Sequence, residues 1–225
     1  MKNQQLNSTQ VTKMDTPISK GTKMLLVSGL LAGPLFIVVV LVQAFTRQGF
    51  DLARLPLSLL SVGDMGWIQI TNFIVTGLLA VACAVGIWQR LHPGRSGTWG
   101  PLLIGVYGAG LIAAGVFSPD PALGFPPGTA QGVPSAPQSW HSQVHGYAFD
   151  LAFLSLIVAC FVFARRFAEL RRWGWAAYCA VTGVVTPALI VLGFANAPIM
   201  GALFFGAGAI TMGWLALVAA RLLAE

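Results

Sequence analysis

The stretch HSQVHGYAFD, residues 141 to 150, places two histidines and an aspartate at the start of a long apolar run. His141 and His145 stand four apart, so a helix would turn both imidazoles toward one face. Metal sites use that spacing, and zinc is a common guest of imidazole nitrogen. Two imidazoles need at least one more ligand. Asp120 in the preceding loop is the first candidate, with Asp51 and Asp64 as alternates. Asp150 is excluded, because on a regular helix it points about 180° from His141 and about 140° from His145. Two other readings of the pair stand open. Imidazole titrates near neutral pH, so the pair can sense protons. Alternatively, both rings bond loop carbonyls at the wet start of a helix.

Asp150 lies two to three turns inside the apolar run that begins near Trp140. A carboxylate ionised near the centre of a bilayer costs roughly 2.5–3.5 kcal/mol on an insertion scale. It must therefore face other helices or a water-filled pocket. Gln69, Asn72 and Thr76 follow i, i+3, i+7 in an earlier apolar run and share one face. Hydrocarbon offers these groups no partner, so a hydrogen bond between Asp150 and the Asn72 face is expected. Arg47 and Arg54 flank another polar segment and have the fork geometry for a phosphate headgroup. The plainer reading is that both snorkel.

Other chemistries find little support. Cys83, Cys160 and Cys179 all fall in apolar runs with no zinc-knuckle or redox spacing, and read as small buried hydrophobes. Histidine occurs only at 92, 141 and 145, which does not suit paired haem ligation across a bundle. No Gly-rich phosphate loop and no Ser/His/Asp order is visible.

The elements that position these residues follow from composition. Of 225 residues, 56% are hydrophobic and 9% charged, against roughly 25% charged in soluble domains. A bilayer is the solvent that such a chain fits. A spanning helix needs about 20 apolar residues. Six stretches qualify, near 24–46, 67–89, 99–118, 142–164, 173–195 and 199–222. The first is too long for a signal-peptide core and is read as a retained helix. The expected fold is all-α, a polytopic bundle of six transmembrane helices. Residues 1–22 form a polar, disordered cytoplasmic tail and 23–225 the membrane domain.

The net charge of +6 comes from short basic runs beside apolar segments rather than from one basic face. That pattern suits anionic lipid and argues against nucleic acid. With the N-terminus inside, eleven Lys and Arg fall on the cytoplasmic side and only Arg47 and Arg54 on the other. The positive-inside rule then makes both termini cytoplasmic. Trp67 and Trp140 mark the outer interface, and Trp88, Trp99, Trp173 and Trp175 the inner one.

Packing signals are those of a helical bundle: Gly29 and Gly33, the stripe Gly105, Ala109, Ala113, and the pairs Ala202/Gly206 and Ala209/Gly213. Pro34 and Pro187 should kink their helices. Two outer loops are long. In the first, Leu52, Leu55, Leu59 and Val62 recur at helical spacing, which predicts a short helix on the membrane surface. In the second, from Ser118 to His141, the part around Phe125 reads as an ordered cap and TAQGVPSAPQS as flexible.

The segments PLSLLSVGDMGWIQITNFIVTG (56–77) and GVFSPDPALGFPPGT (115–129) resemble a bacterial membrane family, the domain of unknown function 998. Its most specific feature is F-x-x-D-P at 117–121 followed by a His-containing helix start. The resemblance covers roughly 24–222 and implies six helices and a bacterial plasma membrane. It implies no activity and no catalytic residue.

The reading these residues favour is a multi-pass plasma-membrane protein with an outward polar pocket built from Gln69, Asn72, Thr76, Asp120, His141, His145 and Asp150. It would bind or sense a lipid or small amphiphile without a cofactor. One alternative is a zinc hydrolase acting on a lipid at the outer leaflet, with His141, His145 and Asp120 as ligands. Another is a small transporter, weakened because ionisable groups do not continue inward and no pair of broken helices matches between halves.

Overall fold

Hydrocarbon leaves backbone amides no partner but each other, so apolar stretches of this length form helices. The computed structural model of the chain describes residues 18–132 and 137–225. Among these residues it is all-helical, with six helices long and apolar enough to cross a membrane. They are α1 (Lys20–Thr46), α2 (Gly66–Leu91), α3 (Arg95–Val116), α4 (Trp140–Glu169), α5 (Trp173–Ala195) and α6 (Met200–Leu223). The shortest has 22 residues, and at about 1.5 Å per residue it still exceeds a hydrocarbon core of about 30 Å.

Several boundaries differ from expectation. Ser19 caps α1 by accepting from the Thr22 amide at 3.1 Å, so the helix begins at Lys20, inside the expected tail. The rest of that tail, with Lys2 and Lys13, and part of the loop expected to be flexible lie outside the described residues. Helix α3 starts at Arg95, four residues early, and α4 runs through Arg165 and Arg166 to Glu169.

Each helix packs on the next, and α6 returns to α1, closing a ring. The close approaches are made by glycines the sequence stripes did not pick out. A Cβ on Gly77 of α2 would lie 2.5 Å from the Gly108 carbonyl oxygen of α3. One on Gly110 would lie 2.8 Å from the Ala152 Cβ of α4. Ala109 of the expected stripe is exposed, and Gly213 has open space around it. Gly29 and Gly33 do act as expected, seating Cys83 of α2 and Met212 of α6 against α1.

One half of the ring is solid. Trp214, Phe163, Phe167, Leu156, Ile104 and Ile87 are fully buried there. The Trp214 indole meets Phe163 edge-on at 5.6 Å and donates to the Cys179 thiol at 3.2 Å. The basic residues Arg90, Arg95, Arg165, Arg166, Arg171, Arg172 and Arg221 sit at this end. Arg166 and Arg221 face Glu225 at 3.9 and 3.4 Å. Thr22 donates to Gln89 at 2.8 Å, which ties the start of α1 to the end of α2.

The opposite end carries both long loops. The short helix expected here, limited by Pro56 to one or two turns, is the five-residue 3₁₀ helix Leu57–Ser61 directly after Pro56, but it does not lie with an apolar face on the membrane surface. Its apolar residues face inward. Leu55, Leu59 and Val62 are buried with Phe125 of the second loop. Arg47 fastens the two loops together. Its guanidinium donates to the Leu60 carbonyl at 2.5 Å and the Val62 carbonyl at 2.7 Å, and lies 4.9 Å from the Phe125 ring centroid. The Ala202 amide of α6 donates to the Ala53 carbonyl at 3.0 Å, strapping the first loop to the far side of the ring.

Candidate functional site

At the loop end the ring is hollow. A cavity of about 400 Å³ opens there, lined by all six helices and both loops. Its floor and walls are apolar: Phe36 of α1, Phe73 of α2, Tyr107 and Leu111 of α3, Ala152 of α4 and Met212 of α6. The polar groups Ser58, Gln138, Ser142 and His145 line it at the loop end, and Asp150 lines it more than one turn deeper along α4. Small-molecule sites have this character, concave and mainly apolar with a few polar groups, at roughly 300–1,000 Å³.

The two histidines divide. His145 is 7% exposed, and its Nδ1 lies 3.0 Å from the Ala114 carbonyl and 2.8 Å from the Phe117 carbonyl. Carbonyls only accept, so Nδ1 carries the proton. The last carbonyls of a helix have no partner within it, and His145 supplies one to the end of α3. The plainer expectation, an imidazole bonding loop-end carbonyls, describes this residue, although its site is buried rather than wet. His141, one turn earlier, projects beyond the bundle. It is exposed and lies against Trp140 at 3.6 Å and Phe117 at 5.9 Å between centroids.

Asp120 serves a third purpose. Its carboxylate accepts from the Ser139 amide at 2.7 Å and the Ser139 hydroxyl at 2.6 Å. Ser139 is the N-cap of α4 and accepts from the Ser142 amide. A carboxylate at a helix N-terminus is favourable, and this one closes the 117–139 loop on itself. Among the described residues no three of His, Cys, Asp or Glu come close enough to hold a metal ion. The expected set of His141, His145 and Asp120 is therefore not assembled, because each is engaged at a different place.

The expected polar face of the second helix points elsewhere. Gln69, Asn72 and Thr76 are buried against α1. The Gln43 amide of α1 donates to Gln69 Oε1 at 2.9 Å. Asn72 donates to Gln69 Oε1 and to the Phe36 carbonyl, both at 3.2 Å. The expected bond from Asn72 to Asp150 is not formed. Asp150 is exposed and lines the cavity from α4. Of the seven expected pocket residues, His145 and Asp150 reach it.

The expected headgroup pair is equally divided. Arg47 is occupied by its two carbonyls and the Phe125 ring. Burial lowers its pKa from the ordinary value and Asp64 offsets part of that; guanidinium stays charged throughout the physiological range. Arg54 is half-buried in the turn after α1.

Sequence reasoning missed the aromatic side of the cavity. Phe149 and Phe153 of α4, Phe194 of α5 and Phe204 of α6 cluster there, with centroids 4.6 Å apart for Phe149–Phe153, 5.8 Å for Phe149–Phe204 and 5.0 Å for Phe194–Phe204. The i, i+4 spacing of Phe149 and Phe153 beside Asp150 was the available signal.

No curated protein and no solved structure matches the chain. The family model described as "Protein of unknown function (DUF998)" matches residues 30–221, which include both segments that carried the resemblance, and the chain belongs to that family.

Proposed function

We propose that the chain is a binding protein for a small amphiphile, held in the hollow end of the ring on the outer side of a bacterial plasma membrane. The cavity carries the reading. It pairs apolar walls with a few polar groups, Ser58, Gln138, Ser142 and His145 at the loop end and Asp150 deeper on α4, which suits a molecule with an apolar body and a polar head. The charge distribution supports the orientation. Among the described residues nine Lys and Arg lie at the solid end and only Arg47 and Arg54 at the hollow end. The positive-inside rule puts the solid end and both termini in the cytoplasm.

Gly208 provides the test. It lines the cavity, and a Cβ added there meets nothing within 4 Å. Gly208→Leu projects into empty space and exchanges a poor helix former for a good one, worth about 1 kcal/mol in an aqueous helix. Protein purified in a mild non-ionic detergent is extracted and its small molecules are identified by mass spectrometry. Wild type should retain a stoichiometric amphiphile, and Gly208→Leu should fold normally and retain much less. Equal retention by both would end the proposal.

A further inference from the structure

We infer, resting on that reading, that the amphiphile bears a positively charged head, an amine or quaternary ammonium, seated between Asp150 and the Phe149–Phe153–Phe194–Phe204 cluster. Three observations converge on it. Asp150 is the one carboxylate among the described residues lining the cavity, and no Lys or Arg lines it. An Asp at membrane depth needs a partner, and among the described residues it has no ion pair with Lys, Arg or His. Phenyl faces carry negative potential and attract cations, most strongly where water is excluded. Carboxylate and rings together suit a cation and disfavour an anion.

The place of Asp150 on its helix adds the third. Phe161 of α4 packs on Gly183 of α5, where an added Cβ would lie 2.9 Å from the ring. Asp150 stands eleven residues before Phe161, about 20° away around the helix, so it faces the same neighbour nearer the loop end. There α5 has passed Pro187 and packs through Gly193 on Phe204 of α6. Residues 187–192 of α5 are all exposed or half-buried. Asp150 is both exposed and cavity-lining, so the cavity opens sideways beside it, toward lipid.

The test uses the full chain in a non-ionic detergent and isothermal titration with decyltrimethylammonium, decanol and decanoate. The ammonium should bind about tenfold tighter than the alcohol, the scale of one charge-assisted contact, with decanoate weakest. Asp150→Asn, isosteric and at an exposed position, should bring the ammonium to the alcohol's affinity and leave the alcohol unchanged. Lysophosphatidylethanolamine of the same chain length separates two sources of the cation. Tighter binding than the simple ammonium assigns a lipid head and weaker binding a free amine; both keep the charge. Decanoate binding as well as the ammonium, or no effect of Asp150→Asn on the ammonium, overturns the cation while leaving an amphiphile in place. Failure of all four probes to bind overturns the amphiphile as well.

Discussion

Replacing His145 by alanine separates a helix-end cap from a metal ligand. In the structure the imidazole is the shared donor to the Ala114 and Phe117 carbonyls. Hydrogen bonds between membrane helices average about 0.6 kcal/mol in double-mutant cycles. Leaving a buried acceptor unsatisfied in a water-soluble core costs about 1–3 kcal/mol. Two acceptors are involved, but the cavity lies alongside and lets water reach them once the ring is gone. A net loss of about 2 kcal/mol follows, or roughly 4–8 °C in midpoint for a chain of this size. His141→Ala removes an exposed ring and should stay within about 0.5 kcal/mol of wild type. Thermal unfolding in detergent, with zinc content measured on the same samples, reads both quantities. A pair of equal losses, or stoichiometric zinc that disappears in either variant, would refute the assignment and restore the metal reading.

Arg47→Lys keeps the charge but cannot reach two carbonyls in a fork, and should lose about 1–3 kcal/mol by chemical denaturation of the purified protein. Gly77→Leu drives a side chain against the Gly108 backbone, which cannot move without separating α2 from α3. It should cost at least about 1–3 kcal/mol, seen as aggregated product on size exclusion, whereas Gly208→Leu elutes as wild type. Asp120→Asn retains one acceptor but turns an amide toward the donors of Ser139. It should cost about 1–2 kcal/mol and speed proteolysis of the 117–139 loop, followed by mass spectrometry.

The six helices were legible because the bilayer sets a length that the apolar runs had to meet. Their mutual orientation was not. Gln69, Asn72 and Thr76 share a face in the sequence and in the fold, yet nothing in the spacing says that α1, with Gln43, stands before that face. Small residues misled in the same way. Helix α3 uses Gly108 and Gly115 toward α2 and Gly110 toward α4, two seams interleaved in one segment. Periodicity alone could not assign either. The leucines of the first loop show a further limit. Their spacing announces an apolar face, but the surface covering it comes from Phe125, which is remote in sequence. A pattern read alone therefore placed in lipid what the fold places under a lid. For the histidines, i, i+4 spacing was honoured by the backbone. One turn of helix was enough to put the first ring outside the bundle and the second inside it.

The uneven packing of the ring bears on the choice between holding a molecule and passing it across. A route through the chain would have to continue the cavity past Trp214 and Phe163, both fully buried and in contact. Truncating such aromatics in a packed core costs about 3–5 kcal/mol, and a route would have to displace both in every cycle. A binding protein needs only the end that is already hollow. That end has surrendered core packing, and polar fasteners stand in its place: Arg47 across the loops, Asp120 on Ser139, His145 on the end of α3. A cavity left by loose packing would have no use for them. Three separate clamps around one hollow make the space itself the feature that the fold maintains. Stability should therefore be most sensitive to polar substitution at the loop end and to apolar substitution at the arginine end.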